Sequence, residues 1–341
     1  MRFNRPLPIV FAVVLLAGTL RADDAPENEP ALRAAIEKAL ARLEKAATNY
    51  VTHRDCFSCH HQALPIVALA RARQRGIPVD EAKITEQAAF SRMWFDTKVE
   101  GMRQGKDVPG GDITTGYALW ALAEAGAETG ETTDAMVQFL QVRQKPEGNW
   151  VASANRPPME ASRFTATAFA LGALRGPFSA KQAALAPLMT GQAASWLRRG
   201  ETQSTEDLAM RLWGLSRAGV GDAELQPYRD AVLKSQGDDG GWAQLPEMTS
   251  DAYATGQALF LLAESGFSAR EPAYRRGIAW LLANQRDDGA WVVETRSRPV
   301  QTFFDNGDPG GESQFISIAA TSWATLALLS TLEPEREDGG Q

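Results

Sequence analysis

Apolar residues recur along this chain in two alternating patterns. Segments such as EPAYRRGIAWLLANQ (271–285) carry charge on one side and apolar residues on the other, the pattern of a helix half exposed to water. Between them lie TTGYALWALAEAG (114–126), SRFTATAFALGAL (162–174), TEDLAMRLWGLSRAG (205–219), SDAYATGQALFLLAESG (250–266) and SIAATSWATLALLS (317–330), apolar almost all round and rich in small residues. Such helices must be buried on most sides. ALRAAIEKALARLEKAA (31–47) adds one helix of the first kind and QALPIVALARARQRG (62–76) one of the second, so six inner and six outer helices alternate. The pattern predicts an all-α fold, an (α/α)6 toroid of two concentric layers over residues 31–331. An open solenoid needs polar capping repeats, and the last inner helix is among the most apolar, which favours closure.

A repeat reinforces this reading. QKPEGNW (144–150), QGDDGGW (236–242) and QRDDGAW (285–291) share the form Gln-x-x-x-Gly-x-Trp, each closing an outer helix, with Gly placed for a left-handed helix end. Gln236 and Gln285 are 49 apart and Gln144 and Gln236 are 92 apart, nearly twice that period. A degenerate copy fits between them at GQAASWLRRGETQST (191–205), where Trp196 matches Trp280.

With these three motifs the chain resembles the squalene cyclase and prenyltransferase repeat proteins over most of residues 31–331. The resemblance implies that the Gln and Trp tie neighbouring outer helices together, so it speaks for architecture before activity. The family's acidic D-x-D-D is absent, since Asp238, Asp239, Asp287 and Asp288 fall inside the repeat motifs. The magnesium-binding D-D-x-x-D is missing too, and the prenyltransferase zinc triad needs a late His, whereas none follows His61. DGGWAQ (239–244) also resembles a segment of toroidal pectate lyases, which would act on uronic acids.

Inner-to-outer links such as RGPFSAK (175–181) are short, whereas outer-to-inner links such as GMRQGKDVPGGDI (101–113) and VVETRSRPVQTFFDNGDPGGESQF (292–315) are long. In an alternating ring the long ones share one face and lead into the inner-helix N-termini, so that mouth is the expected binding face and should favour anionic groups. HRDCFSCHHQ (53–62), the first of these links, holds every Cys and His of the chain. Cys56, Cys59 and His60 fit C-x-x-C-H, the attachment pattern of c-type haem, with Met93 and Met102 as spacing candidates for the second axial ligand. Cys56 and Cys59 with two of His53, His60 and His61 would alternatively hold zinc or another transition metal, and a Cys56–Cys59 disulfide is the third reading.

The other chemistry-bearing residues at inner-helix starts are Asp112, Arg163, Glu206, Asp207, Asp251 and Tyr253. Facing acids could act as general acid and base, while capping is the first expectation for Asp112 and Asp251, and Arg163 is expected to pair with an acid. Trp120, Trp213 and Trp323 are core or cavity wall. Asp305, Asp308 and Glu312 in FFDNGDPGGE (303–312) match no EF-hand spacing, so a turn-rich lid is expected there rather than a calcium site.

Charge and leader narrow the function class. Arg2 and Arg5 followed by an apolar run from Leu7 to Leu20 read as an export signal, with cleavage after Ala22, a linker over 23–30 and a disordered tail over 332–341. Loss of 1–22 removes three arginines and no acid, taking the net charge from −7 to −10, a poor match for nucleic acid. No stable membrane span is expected after that removal. The sequence thus predicts a periplasmic or secreted toroid with a haem or metal at CFSCHH, for redox chemistry or for binding an apolar or anionic small molecule in the central cavity. A terpenoid-type enzyme without the usual acid, a pectate-type lyase and a non-catalytic binding or electron-transfer module are its alternatives.

Overall fold

The computed structural model describes residues 29–175, 180–298 and 304–333. The leader (1–22), nearly all of the 23–30 linker and most of the 332–341 tail lie outside the described residues. Outer helices are α1 (Glu29–Tyr50), α3 (Glu81–Asp96), α6 (Glu131–Arg143), α8 (Ala180–Arg199), α10 (Asp222–Lys234) and α12 (Pro272–Asn284). Inner helices are α2 (Leu64–Arg73), α5 (Gly111–Glu124), α7 (Arg163–Ala173), α9 (Thr205–Arg217), α11 (Ala252–Glu264) and α13 (Gln314–Leu329). Three short elements were not legible in the hydropathy pattern: α4 (Val99–Arg103), a π-helical turn, Cys59–Ala63, running into α2, and a 3-10 turn, Gly311–Ser313, running into α13.

The ring closes. Each inner helix packs on the next in the order α2, α5, α7, α9, α11, α13, and α13 packs back on α2. Between the described helices no sheet forms, and no helix among the described residues is long and apolar enough to cross a membrane. Every residue of α13 from Ile316 to Leu329 is buried, as an inner helix enclosed on all sides requires.

The three repeat motifs do identical work. Gln144, Gln236 and Gln285 donate from Nε2 to main-chain oxygens of the next outer helix, at Met189 (2.9 Å), Ala273 (2.8 Å) and Ala35 (2.9 Å). The last of these joins α12 to α1 and so seals the outer layer. Each Trp indole instead returns to its own outer helix, at Leu140, Val232 and Leu281 O. Each Trp main-chain N–H makes a tie inward, donating to Thr167, Thr255 or Thr321 Oγ1.

Along the axis the inner faces form layers, because residues three, four and seven apart share a helix side. Tyr117, Trp120 and Glu124 on α5 run parallel to Tyr253, Gln257, Phe260 and Glu264 on α11. At the C-terminal end Arg71 pairs with Glu124 (2.7 Å) and Glu264 (3.2 Å). Next comes an aromatic plug in which Trp120 meets Phe169, Trp213, Phe260 and Trp323 at ring separations of 5.5 to 6.0 Å. All three inner tryptophans are core, and Trp120 and Trp213 also wall a cavity of about 160 Å³ beside α5 and α7. Above the plug lies a polar layer, and above that the mouth.

Candidate functional site: a two-chambered mouth

The inner-helix N-termini surround two chambers separated by the Pro157–Pro158 wall, which lines both. Ser58, Ser162, Ser204 and Asp251 cap their helices by accepting from the main-chain N–H of His61, Phe164, Asp207 and Ala254. Gly110 caps α5 in the left-handed region (φ 77°), which frees Asp112 from that duty. The capping expectation thus holds for Asp251 and fails for Asp112. Asp112 is wholly buried and binds the Arg143 guanidinium and Val151 N (3.2 Å), joining α5, α6 and the loop beyond.

The larger chamber has a volume of about 620 Å³ and carries Cys56, Cys59 and His60 on its wall. Both thiols are free, Cys56 half-buried and Cys59 buried, so the disulfide reading is not what the structure adopts. Burial, then the Glu160 carboxylate, pushes the Cys59 thiol well above its usual range. His60 stacks on Phe315 (4.4 Å, 12°), and its Nδ1 is shared between Ser58 Oγ (2.9 Å) and His61 Nδ1. The His60 Nε2 edge remains for another partner.

His61 is fully buried and its Nε2 meets Asp308 Oδ2 at 3.0 Å, while Asn306 Nδ2 donates to the same oxygen (2.6 Å) and to Ala46 O (3.2 Å). Burial lowers both imidazole pKa values, with His61 the next cause for His60, while Asp308 opposes the shift at His61. Neutral imidazole, the ligating form, therefore prevails near pH 7. Asp308 belongs to the loop expected as a lid; it is a buried anchor, and Asp305 turns instead to Gly307 N (2.9 Å).

His53 stands apart. It is exposed, stacks on Phe304 (4.9 Å, 14°) and directs Nδ1 at Asn49 O and Thr52 Oγ1, both 3.0 Å away. Among the described residues no three His, Cys, Asp or Glu side chains converge as ligands of one metal ion. The spacing candidates for an axial sulfur also fall elsewhere: Met93 is 60% exposed and Met102 is sunk in the apolar core. Met159, not singled out in the sequence, is the methionine on the chamber wall.

Phe57, Trp94, Phe304, Phe315 and Ile316 give that chamber apolar walls, and Arg54, Lys98 and Arg156 place cations on it. Arg54 covers the Phe304 ring at 4.4 Å and Lys98 the Trp94 ring at 3.9 Å.

The smaller chamber, about 180 Å³, is lined by Glu206, Tyr253, Gln257 and Arg296 among others. Glu206, 4% exposed, accepts from Thr165 Oγ1 (2.5 Å) and Tyr253 Oη (3.2 Å). Burial pushes its carboxyl up to about 8 against those hydrogen bonds. Asp207 accepts from Ser162 Oγ (2.5 Å) and Gln203 N (2.9 Å), clasping the starts of α7 and α9. Arg163 is exposed on the first turn of α7, lines neither chamber, and the expected pairing with an acid is not found for it among the described residues. Of the six residues named at inner-helix starts, then, the fold brings Glu206, Tyr253 and Asp207 to one chamber with Asp251 as a cap beside it.

This geometry defines an all-helical α/α toroid with a small-molecule-sized mouth. The fold is that of the terpenoid-cyclase class: the type II terpene cyclase MstE from Scytonema, in complex with its product merosterolic acid A, superposes with a TM-score of 0.57 at 18% identity, covering 89% of this chain and 97% of that one. A glycosidase variant in complex with glucose gives 0.54 at 15% identity over 86% and 97%, and a protein from Actinoplanes gives 0.53 at 14% over 88% and 99%. No family model matches the chain. At these identities the likeness speaks for the fold alone.

Proposed function

We propose that this protein is an exported toroid that holds a c-type haem in its larger mouth chamber, through Cys56 and Cys59 with His60 toward the iron, and that the chamber serves redox chemistry on, or binding of, a small molecule. The observation that carries this reading is the convergence of two free thiols and a neutral imidazole on one chamber of about 620 Å³ with apolar walls, where Arg54 and Lys98 are cations without an ion pair among the described residues and Arg156 is paired with Glu160. That set suits a flat apolar macrocycle with two carboxylates. The leader-like residues 1–22 support export, and the neighbours' bound product and glucose accord with a mouth that takes small molecules.

The chain's own groups have distinct tasks in this account. Ser58 holds His60 Nδ1 and leaves Nε2 as the donor, while Asp308 fixes His61 behind it. Arg54 and Lys98, with Arg156 beside its partner Glu160, would receive the propionates, and Met159 would be the thioether that the chamber wall offers the iron. Bound haem would supply one-electron chemistry at its iron. Phe315 covers one face of the His60 imidazole, and Phe304 packs against Phe315.

Expression with a c-type haem-attachment system tests this. The wild type should show a Soret band that survives denaturation, Cys56→Ala should weaken or lose the covalent attachment, and Met159→Leu should keep the haem while shifting its spectrum. A colourless wild type with two titratable thiols would overturn the reading.

A further inference from the structure

We propose that the smaller mouth chamber is a second site, which binds a small hydroxylated carboxylate: Arg296 takes the carboxylate, and Gln257, Tyr253 and Glu206 take hydroxyl groups. Neither the thiols nor the histidines line it, so it goes beyond the haem reading and does not depend on it.

Arg296 carries the charge argument. It is half-buried, donates Nε to Gln244 Oε1 (2.6 Å), and forms no ion pair among the described residues. Its two terminal nitrogens are left for a bidentate anion, and a guanidinium removed from water without a counter-charge is costly unless one arrives. No nearby acid pairs with it directly: Asp207 is held by Ser162 and Gln203 N and Asp251 by the α11 N-terminus, so Asp251 acts on Arg296 only through its field. Glu206 is kept protonated by burial near neutrality.

Gln257 carries the hydroxyl argument. It is fully buried and lines the chamber, its Nε2 donates to Tyr253 Oη (3.3 Å), and its Oε1 has no partner. A buried acceptor left empty costs about 1–3 kcal/mol, so a donor from a ligand is its natural complement. The Glu206 and Tyr253 pair beside it can donate to or accept from a further hydroxyl. The N-termini of α7, α9 and α11 open on the same space and add partial positive charge. About 180 Å³ is on the order of six waters' share of liquid, enough for one small molecule or one end of a longer one.

The test titrates the full chain with D-glucuronate and with its neutral twin D-glucose, read by calorimetry. Glucuronate should bind at least tenfold more tightly than glucose. Arg296→Gln should remove that preference, Arg296→Lys should retain part of it, and Arg163→Gln, which removes an exposed arginine lining neither chamber, should bind as the wild type does. The proposal is overturned if the wild type ignores glucuronate, if both sugars bind alike with Arg296→Gln unchanged, or if Arg163→Gln loses the preference as Arg296→Gln does. The colour of the wild type reports on the haem separately, so the two readings fail independently.

Discussion

Glu206 accepts two hydrogen bonds, which favour its ionised form, yet burial outweighs them and raises its pKa from the ordinary carboxyl value of 4.5 to about 8. A carboxyl whose folded pKa is raised binds its proton more tightly in the native state. Stability should therefore fall as pH climbs from 4.5 towards 8, by up to about 1.4 kcal/mol per unit, and level off above that. Glu206→Gln should flatten this slope in urea unfolding midpoints measured between pH 5 and 8; an unchanged slope would move the titration to another group. Glu206 and Tyr253 were legible because both sit at the starts of inner helices, where the alternation of helices brings every such residue to one mouth. Asp308 was not, since its partner His61 lies 247 residues away and a turn-rich loop carries no periodicity to mark an inward-facing carboxylate. Asp112 was misread for a local reason: a left-handed Gly110 took the capping position, and the carboxylate was left to pair with Arg143.

Among the elements, the repeat motif shows why a glycine is fixed at its fifth position. Gly289 lies at φ 84°, and a Cβ there would come 2.3 Å from Lys38 O on α1; Gly148 and Gly240 meet α8 and α12 in the same way. Gly219, at φ 79°, has nothing within 4 Å of that position. Gly219→Ala should cost about 1–2 kcal/mol from backbone conformation alone. Gly289→Ala adds a main-chain collision and should cost about 3 kcal/mol or more, measured as a shift in the urea midpoint. Equal losses would show that α1 yields freely at this seam. The Gln ties of the outer layer are what the repeat-family resemblance implied, whereas the Trp indoles, implied to do the same, return to their own helices. The inward bond from each Trp N–H to a threonine was not readable, because threonine is common on inner helices and only the close approach of two elements singles out Thr167, Thr255 and Thr321.

At the level of the whole molecule, closure turns six separate loops into one mouth. The plug around Trp120 fills the axis, and on its N-terminal side one chamber collects thiols and imidazole and the other collects Glu206, Tyr253 and Arg296. Amphipathic alternation made the ring legible in the sequence, whereas the division of its mouth depends on the Pro157–Pro158 wall and on Met159, in a stretch with no hydropathy pattern. The most direct test of the central claim is the mass of the tryptic peptide 55–71 from protein matured with the haem-attachment system, since Arg54 and Arg71 bracket both cysteines. The account predicts a peptide carrying one haem on Cys56 and Cys59. A peptide with two unmodified or mutually oxidised cysteines would contradict it.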